Sequence, residues 1–194
     1  MNDSHNPFDK VVAEDSAEIY KQLTQGKVIL KQHYNDLEHK LEENSLYTLL
    51  FNNSIHFLSL YQHIGYQLTF NHEGSFYYLK ELHDQSIDEA DKNAFKIQVA
   101  LLLIGKHYAT TGRNLSLLYS QDAGLDESDL ESLKQDHEFC EILKAAHFGK
   151  GWDEALDFLT KRNFIFQTSQ TSWFVSDAGK AFLEHLIEAY ENNE

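Results

Sequence analysis

Apolar residues recur at helical spacing along most of the chain and alternate in a few short segments. Near the start, Ile19, Tyr20 and Leu23 share one helical face. Ser16 comes before them as a residue type that caps helix N-termini, and Gly26 follows as a residue type that ends helices. The pattern therefore predicts a first helix from Ser16 to just before Gly26.

Two more helices are predicted before Gly65. One begins at about Tyr34 and carries Leu37 and Leu41 on one face. The other repeats the helical spacing from Ile55 and stops at Gly65.

The clearest strand signal follows directly. In residues 66–70 the apolar side chains alternate, as they do on a half-buried strand. Residues 71–74 are turn-forming types, and the aromatic-rich residues 76–79 are predicted to form the returning strand. The segment therefore predicts a β-hairpin that comes after a group of helices.

The second half of the chain repeats this order of helices and then a hairpin. Its predicted elements are an apolar helix from Asn93 to about His107, an acidic helical stretch at 121–141, an amphipathic helix at 152–159, a hairpin with strands 164–167 and 172–175, and a last helix capped by Ser176 or Asp177.

Two units of this kind predict an α+β fold that is mainly α-helical, with tandem winged-helix domains and two β-hairpin wings. We expect a mobile tail at residues 1–13, an N-terminal winged-helix domain at 14–87 and a C-terminal one at 88–194. The boundary is expected between Gln85 and Asp91.

The charge balance bears on the class of partner. Sixteen Lys and Arg residues face 31 Asp and Glu residues, for a formal net charge of −15. No Lys or Arg occurs between Lys40 and Lys80, which is the whole first hairpin and the helix before it. Because cations that neutralise phosphates supply most non-specific affinity for nucleic acid, autonomous DNA binding is disfavoured. An acidic, well-solvated surface is the simpler explanation of the net charge.

Candidate chemistry is sparse. The single cysteine, Cys140, excludes an intramolecular disulfide and fits a reducing compartment. His137 lies one helical turn before it, but no CxxC or HExxH motif accompanies the pair, so a zinc site is disfavoured. No nucleophile elbow, P-loop or dinucleotide fingerprint is present, so we predict no catalytic, cofactor-binding or metal-binding residues. With no signal peptide or membrane span in the sequence, a cytoplasmic protein is expected.

Three segments carry a resemblance to a known family. They are residues 17–26 (AEIYKQLTQG), the aromatic-rich helix that reaches Tyr61, and residues 73–79 (EGSFYYL). Together with the order of elements over roughly residues 15–190, they resemble the MukE/MksE family, bacterial condensin accessory subunits built of two winged-helix domains. Because the chain ends soon after its last helix, we expect the shorter, MksE-like branch.

The resemblance implies a non-enzymatic protein that needs no cofactor. Such a subunit binds the kleisin of the complex (MukF/MksF-like) and, through it, an SMC ATPase (MukB/MksB-like), in chromosome organisation and segregation. It also implies a homodimer, found in the cytoplasm and associated with the nucleoid through its complex. The alternative is an acidic winged-helix transcription regulator, which the lack of cations on the recognition elements disfavours.

The second hairpin holds more aromatic residues than alternation can place in one core. The simpler interpretation packs the surplus ring beneath a neighbouring helix, and the alternative makes Trp173 or Phe174 an exposed anchor for a partner. Arg162, at the base of the hairpin, is available to pair with a carboxylate. The predicted partner-binding residues are Arg162, Phe164, Phe166, Trp173 and Phe174.

Residues 46–61 carry more apolar side chains than one small core needs, and such a surplus predicts an interface. The predicted dimer-interface residues are Leu46, Tyr47, Leu50, Phe57 and Tyr61.

Overall fold

The computed structural model describes residues 11–82 and 89–191, and the side chains of 89–91 and 189–191 are outside the description. Residues 1–10 of the predicted tail (1–13) and most of the predicted domain boundary therefore lie outside the described residues, and the last residue of that tail, Ala13, already belongs to the first helix. The elements in chain order are α1 (Ala13–Thr24), β1 (Ile29–Leu30), β2 (Gln32–Asn35), β3 (Lys40–Glu43), α2 (Ser45–Asn52), α3 (Ser54–His63), β4 (Tyr66–Asn71), β5 (Phe76–Glu81), α4 (Glu89–Thr110), a 3₁₀ helix (Leu115–Tyr119), α5 (Glu127–Gln135), α6 (His137–Ala145), α7 (Trp152–Lys161), β6 (Ile165–Ser169), β7 (Ser172–Val175) and α8 (Asp177–Glu191).

Helix α1 ends where the sequence predicts but begins earlier. Ser16 is not its cap, because the helix already runs from Ala13. At the other end, Gly26 takes a left-handed φ of 73°. The amide of Gly26 donates to the carbonyl of Leu23, and the amide of Lys27 donates to the carbonyl of Gln22, each over 3.0 Å. This Schellman pattern stops the helix and fixes the direction in which the chain continues.

The helix predicted from about Tyr34 is wrong, because the chain forms the β2–β3 hairpin there. Local turn chemistry decides this. The side-chain oxygen of Asn35 accepts hydrogen bonds from the amides of Leu37 and Glu38, and His39 adopts a φ of 50°. Leu37, predicted to lie on a helix face, is at the hairpin tip and 92% exposed.

The first predicted β-hairpin is confirmed as β4 and β5, which pair antiparallel with Leu68 opposite Leu79. Strand β1 adds to the far side of β5, so the sheet order is β1-β5-β4. Helices α1, α2 and α3 cover this sheet. The core between them contains Ile19, Leu50 and Phe57.

The second half also follows the predicted order. Helix α4 is longer than expected, and the acidic stretch at 121–141 contains a loop and most of two helices, α5 and α6. Asp136 separates the two helices and caps α6 by accepting a hydrogen bond from the amide of Phe139. The last helix is capped as predicted, since the hydroxyl of Ser176 accepts from the amide of Gly179.

The two halves share a topology that the sequence does not reveal. In the first half, β1 pairs with the second strand of the hairpin. In the second half, Leu125 forms a bridge to Trp173, which also lies in the second strand of its hairpin. In both cases the added segment precedes the pair or group of helices that leads into the hairpin. The α+β, mainly helical, winged-helix-like fold is thus confirmed. The division at residue 87 stays a prediction.

The halves are packed against each other. Val28, Leu30 and Phe76 from the first half belong to the same buried cluster as Leu159 and Val175 from the second. A groove opens along one side of this shared contact.

Candidate functional site

The groove between the two halves is open to solvent and has a volume of about 750 Å³. One wall is formed by the end of α1, strand β2 and the start of α2. The other wall is formed by the end of α7 and by β6 with its turn. We call the whole groove, with both walls, the interunit groove. Lining residues that bear on function include Lys27, Tyr34, Leu46, Asn163, Phe166 and Gln167.

Backbone hydrogen bonds hold the two walls together at the base of the groove. The amide of Val28 donates to the carbonyl of Arg162 over 3.2 Å. The side-chain amide of Asn163 donates to the carbonyl of Val28 over 2.8 Å. Asn163 has a φ of 64°, a left-handed conformation that asparagine tolerates better than most residues. The relative position of the walls is therefore set by specific polar contacts.

The aromatic residues of the second hairpin are mostly core. Phe164, Trp173 and Phe174 are 5%, 8% and 3% exposed, so the prediction that Trp173 or Phe174 is an exposed anchor is wrong. The reason is tertiary. Leu125 pairs with Trp173, and the ring of Tyr34 covers Phe174. Only Phe166 of the predicted rings lines the groove, where it is half-buried.

Arg162 lies beside the groove and packs between the two halves. Its guanidinium sits 3.7 Å from the centre of the Phe158 ring, and its Nε is buried without a hydrogen-bond partner. The side chain of Arg162 packs against Gly26, just after the end of α1. A Cβ added to Gly26 would lie 3.5 Å from the Nε of Arg162. Burial lowers the pKa of Arg162. The negative charge of Asp157 raises it, but by less. The predicted pairing of Arg162 with a carboxylate of a partner stays a prediction.

Lys27 is the lysine of the groove, and the sequence alone gave no reason to select it. It is half-buried, and burial lowers its pKa. The negative charge of Glu18 raises the pKa of Lys27, but by less. Within the described residues no carboxylate lies in ion-pair contact with its Nζ.

The predicted dimer-interface residues are mainly core of the first half. Four of them, Tyr47, Leu50, Phe57 and Tyr61, are at most 8% exposed, and Leu46 lines the interunit groove. The apolar surplus that prompted the prediction is nevertheless present on other faces of the same helices. We call these exposed side chains together the α2–α3 apolar surface. They are Phe51, Ile55, Leu58, Leu60 and Ile64, exposed by 58%, 77%, 45%, 42% and 46%, and among them Ile55 and Leu58 share one side of α3 by helical spacing.

A second feature missed by the sequence analysis is a buried polar cluster around Asp129. Its carboxylate accepts one hydrogen bond from Arg113 and contacts Nε2 of His107 at 3.0 Å. Arg113 also donates to the hydroxyl of Tyr108, which in turn donates to the carbonyl of Gly124. Burial raises the pKa of Asp129, but the hydrogen bonds from His107 and Arg113 outweigh it and leave the pKa lowered. The cluster ties α4 to α5.

Metal and membrane sites find no support in the described part of the chain. No group of three or more potential ligands that could hold a metal is found there. Cys140 is half-buried, and its thiol contacts the carbonyl of Lys134 at 3.4 Å. No described helix has the length and apolar character that crossing a bilayer requires.

Comparison with known proteins gives a match to a family model. The family model described as condensin complex protein MksE matches residues 14–187. This range contains both walls of the interunit groove and the α2–α3 apolar surface. No curated protein matches the chain.

Proposed function

The chain belongs to the MksE family of condensin complex proteins, and we propose that it is the non-enzymatic subunit that binds the kleisin of an SMC-type complex. In this role it contacts the SMC ATPase through the kleisin and acts at the nucleoid, in the cytoplasm, in chromosome organisation and segregation. The two winged-helix domains, 14–87 and 88–194, serve as protein-binding modules.

The observation that carries this proposal is the interunit groove. Its lining residues come from α1, β2, the start of α2 and β6. Its two walls are hydrogen-bonded to each other through Val28 and Asn163. Grooves between packed units are frequent ligand sites. A segment of kleisin bound there would contact both halves at once, which suits a subunit that must hold a flexible partner.

The predicted partner-binding residues divide between two tasks under this proposal. Phe166 contacts the kleisin segment directly, because it lines the groove. Phe164, Trp173 and Phe174 are buried behind it and fix the position of the wall. Arg162 joins this wall to the end of α1 through its contact with Gly26.

A homodimer is part of the same proposal, and its interface is the α2–α3 apolar surface. Exposed apolar clusters on soluble proteins usually mark contacts with other proteins. Helix α3 directly precedes the β4–β5 hairpin, as a recognition helix does in a DNA-binding winged-helix domain, yet it contains no Lys or Arg, and Ile55 and Leu58 are exposed instead. This helix therefore favours contact with a second copy over contact with DNA, and it disfavours the transcription-regulator alternative.

The experiment is binding of the purified chain to the kleisin encoded by the same genome, measured by calorimetry at 150 mM salt. We expect a complex with a dissociation constant of about 1 μM or tighter, which corresponds to about −8 kcal/mol. The control is a 30-base-pair duplex DNA under the same conditions. Binding to the DNA with no binding to the kleisin would favour the transcription regulator.

A further inference from the structure

The hydrogen bonds of Trp173 show which edge of β6 is unpaired. Trp173 lies opposite Gln167 in the β6–β7 hairpin. The amide of Trp173 donates to the carbonyl of Leu125 over 2.9 Å, and its carbonyl accepts from the amide of Leu125 over 2.7 Å. Both backbone groups of Trp173 therefore point away from Gln167. In an antiparallel pair of this type, the backbone groups of the opposite residue also point outward.

Gln167 consequently directs its amide and carbonyl toward the free edge of β6. Strand β6 pairs only with β7 in the described sheets, and outside the β6–β7 ladder no hydrogen bond to the backbone of Gln167 is found among the described residues. Gln167 is an exposed residue.

The free edge of β6 borders the interunit groove. The groove is lined by residues 166–169 of β6, whose pairing is irregular between Gln167 and Ser169, and by Gln170 of the turn. Successive side chains of a strand point to opposite faces, so a groove that is lined by both Phe166 and Gln167, before the irregularity, runs along the edge of the strand. An exposed edge with unpaired donors and acceptors is the template for addition of another strand.

The positive charge of Lys27 in the groove favours a bound segment that carries an acidic side chain. Lys27, on the opposite wall, is half-buried and has no ion pair within the described residues. Its ammonium gains most from a carboxylate, because a partly desolvated cation is stabilised by an opposite charge. The only carboxylate among the lining residues is that of Asp36.

We propose that the segment bound in the interunit groove is extended, adds as a strand to the free edge of β6 through the backbone of Gln167, and places an acidic side chain against Lys27. This inference rests on the proposed function, since the segment belongs to the kleisin. It gives the segment a conformation and a charge that groove binding alone does not specify.

Residue-resolved amide hydrogen exchange of the full chain, free and saturated with the kleisin, tests the strand addition. In the free protein we expect the amide of Gln167 to exchange fast. We expect its exchange to slow at least tenfold in the complex, because it becomes hydrogen-bonded. The amide of Trp173, already bonded to Leu125, is the internal control and stays slow in both states. A saturated complex in which the Gln167 amide stays fast overturns the inference and leaves the proposed function intact.

Two further outcomes are decisive. If the wild-type chain forms no complex with the kleisin, the proposed function fails and this inference fails with it. If the Gln167 amide is already slow in the free protein and becomes faster on dilution, a second copy of the chain occupies the edge, and the inference is overturned.

Charge variants test the acidic side chain separately. Lys27→Met keeps the apolar stem and removes the charge, and Lys27→Glu reverses it. We expect the kleisin affinity to fall about fivefold and at least twentyfold, respectively. The matched control is Lys31→Glu, an exposed lysine outside the groove, whose effect should be less than threefold. Equal losses of kleisin affinity for Lys27→Glu and Lys31→Glu overturn the carboxylate contact. Melting curves of all three variants check that they are folded.

Discussion

The ring of Tyr34 meets the ring of Phe174 edge to face, with centroids 5.7 Å apart and planes at 79°. Tyr34 also lies 6.4 Å from Phe166. This contact joins the β2–β3 hairpin of the first half to the β6–β7 hairpin of the second. Tyr34 and Phe166 both line the interunit groove, and the ring of Tyr34 against Phe174 explains why Phe174 is not available to a partner.

Loss of the Tyr34 ring should loosen this junction. Tyr34→Ala is expected to lower the free energy of unfolding by about 1–2 kcal/mol, because aromatic pairs contribute about 0.5–1.5 kcal/mol beyond their buried area. Tyr34→Phe keeps the ring and should change it by less than about 0.5 kcal/mol. Urea denaturation of both variants measures the difference. Equal stability of the two variants would show that the ring contact contributes nothing.

Trp173 and Phe166 should respond differently to alanine substitution. Trp173→Ala removes a core side chain and is expected to lower the stability by about 3–5 kcal/mol. Phe166→Ala, in the half-buried groove wall, should cost less stability but weaken kleisin binding by about 2 kcal/mol. Melting curves and calorimetry are needed on the same proteins. Unchanged kleisin affinity in folded Phe166→Ala would remove the hairpin from the binding site.

A charge on the α2–α3 apolar surface should break the dimer. Ile55 is 77% exposed, so Ile55→Glu leaves the core intact but would bury a carboxylate in the proposed interface. Sedimentation at about 50 μM protein is expected to show a dimer for the wild type and a monomer for the variant. Leu37→Glu, at the hairpin tip, is the control because Leu37 is equally accessible and lies elsewhere. A monomeric wild type at this concentration contradicts the proposal.

The lowered pKa of Asp129 makes its contribution to stability dependent on pH. The pKa is lower in the folded than in the unfolded state, so the contribution is fully present above the ordinary aspartate pKa of about 3.9 and is lost as the pH falls through the folded value. Asp129→Asn should lower the free energy of unfolding at pH 7 by about 3 kcal/mol. The difference from wild type should shrink below pH 4. Urea denaturation at pH 7, 5 and 3.5 would reveal a constant difference if the carboxylate charge is irrelevant.

Duplex DNA should bind weakly to the isolated chain at physiological salt. The segment between Lys40 and Lys80 has no Lys or Arg, so α3 and β4 carry no lysine or arginine and β5 carries only Lys80, too few cations to neutralise several phosphates. Fluorescence anisotropy is expected to give a dissociation constant weaker than about 10 μM. A dissociation constant of 1 μM or tighter would show that another surface binds DNA.

The sequence by itself determined the elements whose signals are local. Alternation over residues 66–70 placed β4, and Gly26 marked the end of α1, because a left-handed C-terminal residue is a property of the local chain. The order of helices and hairpins also followed from periodicity. The β2–β3 hairpin was missed although its signal was present, since Asn35 can bond its own turn while the spacing of Leu37 and Leu41 imitates a helix face.

The tertiary structure decided which face of each element is buried and which groups meet. Periodicity assigns Tyr61 and Ile55 to the same apolar helix, but only the position of the sheet makes Tyr61 core and leaves Ile55 exposed. Phe174 is covered by a ring that comes from 140 positions earlier in the chain, at Tyr34. Lys27 and Gln167 are as far apart in the sequence as Tyr34 and Phe174 are. Their places on opposite walls of one groove depend on long-range packing that no local pattern encodes.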